Sequence, residues 1–109
     1  MSELPVDLRY EPVMPADRTP GIGCIGAGLI MADCHLVAYR NAGFNPVAIA
    51  NRTLSRAQEA AERHGIDKVY EDYEELLADP AVEVVDIALP PDLQRGVVDR
   101  ICEGYAGKI

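Results

Sequence analysis

Several features that mark metal, nucleic-acid or membrane proteins are missing from this 109-residue sequence. Its three cysteines, Cys24, Cys34 and Cys102, form no Cys-x-x-Cys pair, and its two histidines form no cluster beside them. That spacing excludes an ordinary zinc site, and an odd, scattered cysteine count suits a reducing cytoplasm. Basic residues are few: 10 Lys and Arg stand against 18 Asp and Glu, for a formal net charge of -8. So acidic a chain is a poor partner for nucleic acid, whose phosphates must be neutralised by Lys and Arg, and for an anionic membrane surface. No apolar run approaches the roughly 20 residues of a membrane span. The polar, acidic opening, residues 1–10, lacks the apolar centre of a signal peptide. There is no internal repeat or low-complexity tract. No acid, base and nucleophile fall into a grouping that would mark a catalytic centre, so no catalytic residue is expected in this stretch.

What is present is a length and apolar content suited to one small domain. Residues 1–20 carry Pro5, Pro12, Pro15 and Pro20 and no sustained period, and read as an extended or disordered leader. Order is expected over residues 21–109. A short apolar strand, residues 21–25, runs into a glycine turn and a helix over residues 29–42. That helix carries Ile30, Met31, Cys34, Leu36, Val37 and Ala38 as its apolar stripe. Gly43 and Gly65 are natural left-handed helix ends. A second strand is expected over residues 47–50, and a helix capped by Thr53 over 54–64. A minimal strand at 68–70 precedes a short helix opened by Asp72 and Glu75, which Asp79-Pro80 breaks. The nearly continuous apolar run 82–89 predicts a parallel strand buried on both faces. Pro90-Pro91 ends it, and residues 92–102 read as helix. Strict strand–helix alternation is the pattern of a parallel sheet built from right-handed βαβ units. About four strands in the order 3-2-1-4 are expected, with residues 82–89 on one edge.

Two stretches have the Gly-x-Gly-x-x-Gly shape. The first, Gly21 to Gly26, matches literally, but Thr19-Pro20 precedes it and no helix opens at its end. The second, Gly26-Ala27-Gly28-Leu29-Ile30-Met31, follows an apolar strand and opens an amphipathic helix, the setting in which a pyrophosphate can sit on a helix N-terminus. Gly26 makes the tight turn and Gly28 lets backbone approach the phosphates. Met31 stands where Gly or Ala normally lets helix and strand pack closely. Twenty residues beyond Met31, where an acid usually grips the ribose of NAD, stands Asn51, followed by Arg52 and Thr53. Without the carboxylate, and with a guanidinium at hand, this segment favours NADP over NAD, with Thr53 and Arg56 as helpers. The reading is a Rossmann-type α/β unit, and acidity is no obstacle, since backbone N–H groups hold the pyrophosphate.

With these residues the chain resembles the N-terminal domain of the Gfo/Idh/MocA oxidoreductases. The resemblance runs over residues 21–108 and is carried by Ile25-Gly26-Ala27-Gly28-Leu29-Ile30, His35-Leu36, the stretch Tyr70 to Leu77, Asp79-Pro80 and Val85-Asp86-Ile87-Ala88-Leu89-Pro90-Pro91. It implies that Ala88, Leu89, Pro90 and Pro91 lie against the cofactor, and that Gln94 stands where relatives often have His. The family's Glu-Lys-Pro motif does not occur; Lys108 matches a different lysine. The resemblance therefore implies a dinucleotide-binding piece of a longer oxidoreductase acting on hydroxyl-bearing carbons of a sugar, polyol or related small molecule, lacking the catalytic Lys motif and the substrate domain. A non-catalytic nucleotide-binding sensor or regulatory module remains the alternative. An S-adenosylmethionine-binding methyltransferase would want an acid where Asn51 stands. The substrate would be bound only by the full-length parent, and the exposed sheet edge invites self-association.

Among the other polar residues, His35 and His64 are expected to be structural, His64 as a partly cationic ring at a helix end. Asp86, interrupting an apolar strand, is expected to find a hydrogen-bond partner within the fold. Cys24 is expected in the core, and the acidic run 71–75 at a solvated helix start.

Overall fold

Strands and helices alternate as expected, and the sheet is parallel throughout. The computed structural model describes residues 15–108. Its elements are β1 (Gly21–Ile25), a π-helical turn (Ile30–His35) running into α1 (Leu36–Ala42), β2 (Asn45–Ala50), α2 (Leu54–His64), β3 (Lys68–Tyr70), α3 (Tyr73–Ala78), β4 (Val84–Ile87), α4 (Pro91–Gly104) and a 3₁₀ turn (Ala106–Lys108). The strand order is β3-β2-β1-β4. Residues 1–14 of the expected leader lie outside the described residues. Residues 15–20 form no regular element but lie along the end of α1: the Arg18 guanidinium donates to the Ala42 carbonyl and sits 5.7 Å from the Phe44 ring centre, and the Asn45 amide donates to Thr19 O at 2.9 Å.

Side chains of a strand alternate between faces, and the sheet uses both. Ile22, Cys24 and Ile49 meet Met31, Leu36, Ala57, Ala60 and Ala61 on one side, under α1 and α2. Ile25, Ala48 and Ala50 meet Leu76, Leu77, Val82, Val97 and Ile101 on the other, under α3 and α4. The alanines let α2 approach the sheet closely. β2 begins two residues earlier than its apolar run, because Asn45 and Pro46 already pair with Gly21 and Ile22. The register then slips by one residue at Val47, an irregularity that accommodates a proline with no N–H to give the ladder.

Two expectations need correction. The apolar stripe of the first helix is not the one its 3.6-residue period suggested. The Leu36 N–H bonds Met31 O, a five-residue spacing, and this widened turn buries Met31 and Leu36 while Ile30, Cys34 and Ala38 face outward. β4 is also shorter than the run 82–89 and is not buried on both faces. Val82 is buried in the core from a turn, its N–H bonding Asp79 O at 3.0 Å, and Val84 is 39% exposed at the sheet edge. Its apolar character serves the core under α3 rather than the ladder.

Smaller devices differ likewise. Thr53 occupies the cap of α2 without a side-chain cap bond, whereas the Asp72 carboxylate accepts the Glu74 N–H at 2.9 Å. His64 is buried. Its Nδ1 faces a guanidinium N–H of Arg40 at 3.2 Å, so Nδ1 accepts and Nε2–H donates to Ala32 O at 2.6 Å. This bridge ties α2 to the first helix.

Asp79 does more than stop α3. Its buried carboxylate accepts from Ala81 N (2.9 Å), the Tyr70 hydroxyl (2.8 Å) and Lys68 Nζ (3.1 Å), while Lys108 Nζ donates to Asp79 O and Leu77 O. The Ala81 N–H, then Lys68 and Tyr70, hold its carboxyl down at about 2. Because the folded value lies below the unfolded value of about 3.9, this stabilisation is full above pH 4 and lost as pH falls through 2. Asp79→Asn is therefore expected to destabilise the fold by about 2 kcal/mol at pH 7 and by progressively less toward pH 2. Urea titrations at several pH values check this; a pH-independent difference would contradict it.

Candidate functional site: a cleft over the carboxyl ends of the strands

Between β1 and β4 the strand order reverses direction, and in open parallel sheets that is where a crevice opens beyond the strands' carboxyl ends. Gly26 leaves β1 with φ +106, a conformation that L side chains rarely adopt. Its N–H donates to Ala50 O at 2.9 Å, and a Cβ there would stand 2.4 Å from Ala88 O. The turn is therefore wedged between the ends of β2 and β4. Asn51 fastens it from one side: its Oδ1 accepts the Ala27 N–H at 3.3 Å, while its Nδ2 donates to Thr53 O at 2.9 Å.

Beyond the turn the first intrahelical bond runs from Ala32 N to Gly28 O. The N–H groups of Leu29, Ile30 and Met31 precede it, the unsatisfied donors of a helix start. A Cβ on Gly28 would meet nothing within 4 Å. The space over this positive helix end is open, as an anion site requires.

Two grooves flank the glycine turn, one meeting it at Gly26 and the other at Gly28. One, of about 440 Å³, runs between β2 and α4, with Gly26, Asn51, Arg52, Glu71, Tyr73 and Leu93 among its walls. The other, of about 460 Å³, lies between the helix start and the end of β4, with Gly28, Leu29, Ile30, His35, Ala88 and Gln94 among its walls. Leu89 and Pro90 line both. Leu29 is 71% exposed and Ile30 55% exposed, apolar side chains standing at the lip of the second groove. Arg56, with Ala27, Gly28 and Leu29, edges a third recess whose far side carries the Arg63–Asp33 ion pair.

Most of the residues singled out from the sequence thus converge: Gly26, Asn51 and Arg52 on the first groove, Gly28, Leu29, Ile30 and Ala88 on the second, Leu89 and Pro90 on both. Three stand apart. Met31 is fully buried in the core. Thr53 contributes its carbonyl to Asn51, and Pro91 is the first residue of α4. Sequence reasoning missed Tyr73, Glu71, Leu93 and Gly96, which line the first groove from α3, the turn after β3, and α4.

Beneath the second groove lies a polar cluster. Asp86 Oδ2 receives the Tyr39 hydroxyl at 2.6 Å and pairs with His35 Nδ1 at 2.8 Å. The hydrogen-bond partners expected for Asp86 are thus Tyr39 and His35. Burial, reinforced by the bond to Asp86, pushes the Tyr39 hydroxyl well above its usual value. Burial, then the Asp86 charge, pushes the neighbouring Cys24 thiol up to about 12, which keeps it a neutral core residue. Among the described residues no three His, Cys, Asp or Glu side chains group as metal ligands, and no helix is long and apolar enough to cross a membrane.

The model of the Gfo/Idh/MocA group, described as an oxidoreductase family with an NAD-binding Rossmann fold, matches residues 21–105. An uncharacterized oxidoreductase of Rhizobium meliloti is 44% identical over 87 residues, 79% of this chain and 25% of its own length. Human trans-1,2-dihydrobenzene-1,2-diol dehydrogenase is 45% identical over 67 residues, 60% of this chain and 20% of its own. Among solved structures, levoglucosan dehydrogenase in complex with NADH and L-sorbose superposes with a TM-score of 0.72 at 31% identity, over 84% of this chain and 26% of that one. A 3-ketoreductase from Actinomadura kijaniata in complex with TDP-benzene and NADP gives 0.71 at 34% identity, over 81% and 27%. The chain spans about a quarter or less of the length of the curated relatives it matches.

Proposed function

The chain belongs to the Gfo/Idh/MocA oxidoreductase family, and from that premise we propose that it is the NADP-preferring cofactor-binding part of an enzyme that moves hydride to or from a hydroxyl-bearing carbon. That it is a Rossmann unit for a nicotinamide dinucleotide follows from the family and from the cleft itself. The observation that carries the proposal is the open space over Gly28 at a helix start, with one groove beside it and a second meeting the same turn at Gly26, the two sharing Leu89 and Pro90. A dinucleotide has that shape: a central pyrophosphate with a nucleoside on either side. Asn51 and Arg52 mark the first groove for the adenosine half, and Leu29, Ile30, Ala88, Leu89 and Pro90 mark the second for the nicotinamide half. A sugar, polyol or related small molecule as substrate rests on relatives such as levoglucosan dehydrogenase and the dihydrodiol dehydrogenases. Self-association along the β4 edge belongs to the same proposal.

The choice of NADP rests on the end of β2, where Asn51 and Arg52 stand in place of a carboxylate. Asn51 is committed to the turn and to Thr53, so Arg52 is the residue to fork a 2′-phosphate, with Arg56 on the first turn of α2 as a helper. Glu71 in the same groove opposes it. Calorimetric titration is expected to show tighter binding of NADPH than of NADH. Arg52→Ala should narrow the gap by roughly 1–3 kcal/mol. Equal or reversed affinities would remove the NADP assignment.

A further inference from the structure

The cluster of Tyr39, Asp86 and His35 is more than a satisfied buried carboxylate, because one of its members lines the second groove. Asp86 sits on β4 opposite Cys24 of β1, its side chain only 16% exposed. A carboxylate can only accept. With the Tyr39 hydroxyl and His35 Nδ1 both on Oδ2, the histidine must donate through Nδ1–H. In the tautomer this bond selects, with its single proton on Nδ1, Nε2 is an acceptor. Among the described residues no hydrogen bond is made to Nε2, and the ring is 36% exposed, bordering the groove with Ile30, Ala88 and Gln94. A fixed ring offering a lone pair in a groove whose other side-chain walls, Gln94 apart, are apolar is a recognition element for an N–H or O–H donor.

We propose that His35 is a cofactor-reading residue, whose Nε2, oriented by Asp86 and Tyr39, accepts a hydrogen bond from the carboxamide N–H of the nicotinamide. The inference rests on the dinucleotide reading and assigns the second groove's orientation of the ring. The widened π turn contributes to the geometry. It buries Met31 and Leu36 and lets His35 reach Asp86 from the groove side of the helix. Apolar walls such as Ile30, Ala88 and Pro90 suit a flat ring but do not fix which way its carboxamide points; an acceptor at the edge does.

The test uses the whole chain and three probes: NADH, its reduced 3-acetylpyridine analogue, in which a methyl replaces the amide nitrogen, and ADP-ribose, which has no nicotinamide. In His35→Ala, NADH affinity is expected to fall about five- to tenfold, the weight of one hydrogen bond. ADP-ribose and the analogue should bind as before. Asp86→Asn offers an amide that can donate to Nδ1 and move the ring proton to Nε2, so it should weaken NADH selectively as well. An equal loss for all three probes in both variants means a structural role and overturns the proposal, as does unchanged NADH affinity in His35→Ala. Failure of the unsubstituted chain to bind ADP-ribose would instead sink the dinucleotide reading, so the two failures are distinguishable.

Discussion

Gly28→Val is expected to weaken dinucleotide binding by more than a hundredfold while leaving the thermal melting of the chain nearly unchanged. The fold tolerates the side chain for two reasons. Gly28 does not have positive φ, so an L residue fits its backbone, and a Cβ there meets nothing within 4 Å. The ligand does not tolerate it, because that empty space is where backbone N–H groups must come within hydrogen-bond distance of the pyrophosphate. A branched side chain would hold the phosphates away from the Leu29 and Ile30 N–H groups, and charge-assisted bonds weaken steeply with distance. A hundredfold loss corresponds to about 2.7 kcal/mol, the scale of one or two such bonds. Calorimetry against NADPH together with a melting curve checks both halves. Retained affinity in a folded variant would place the phosphates elsewhere.

The glycine turn was legible because its chemistry leaves few alternatives. Only a glycine accommodates the exit from β1 between Ala50 and Ala88, and an apolar strand before it and an amphipathic helix after it chose this register over the literal match at Gly21. The structure explains that other match as well. A Cβ on Gly21 would lie 2.0 Å from Ala81 O, and one on Gly23 would lie 2.7 Å from side-chain carbons of Leu76 and Val82. Those glycines make room for α3 and the loop before β4. Strand order was legible too, since short connections and right-handed crossovers leave few topologies.

What was not legible depended on contacts between distant segments or on local departures from regular geometry. Asp86 advertised itself as a polar interruption in an apolar run. Its partners stand 47 and 51 residues away, and no spacing rule connects them. The stripe of the first helix was misread because a period of 3.6 was assumed where one turn is wider. Met31, placed where a small residue was expected, is buried at that turn, and the pattern of buried residues shifts with it. The bounds of β4 were misread because Val82 and Leu89 are apolar for other reasons, one filling the core from a turn and the other lining both grooves.

Gly26→Ala is expected to act in the opposite sense to the change at Gly28, lowering stability by about 3 kcal/mol before any ligand is considered. Two independent terms set that scale. At φ +106 any L residue is strained, by about 1–3 kcal/mol. The added methyl would also stand 2.4 Å from Ala88 O. Ala88 cannot simply retreat, because its own N–H is bonded to Ile25 O at 2.9 Å and Pro90 follows two residues on. Gly26 is held equally firmly through its N–H to Ala50 O. The clash therefore falls on the junction of β2, β1 and β4, where relief requires one of these ladder-end bonds to open. For a domain of this size the loss corresponds to a fall in Tm of roughly 12–24 °C. Binding should fall with it, but the affinity of the fraction still folded would drop less than in Gly28→Val, since a methyl at Gly26 points toward Ala88 rather than into the open space over the helix start. Melting curves of the two variants side by side decide the matter: a Gly26→Ala chain as stable as the unsubstituted one would mean that the turn is not wedged between the strand ends as described.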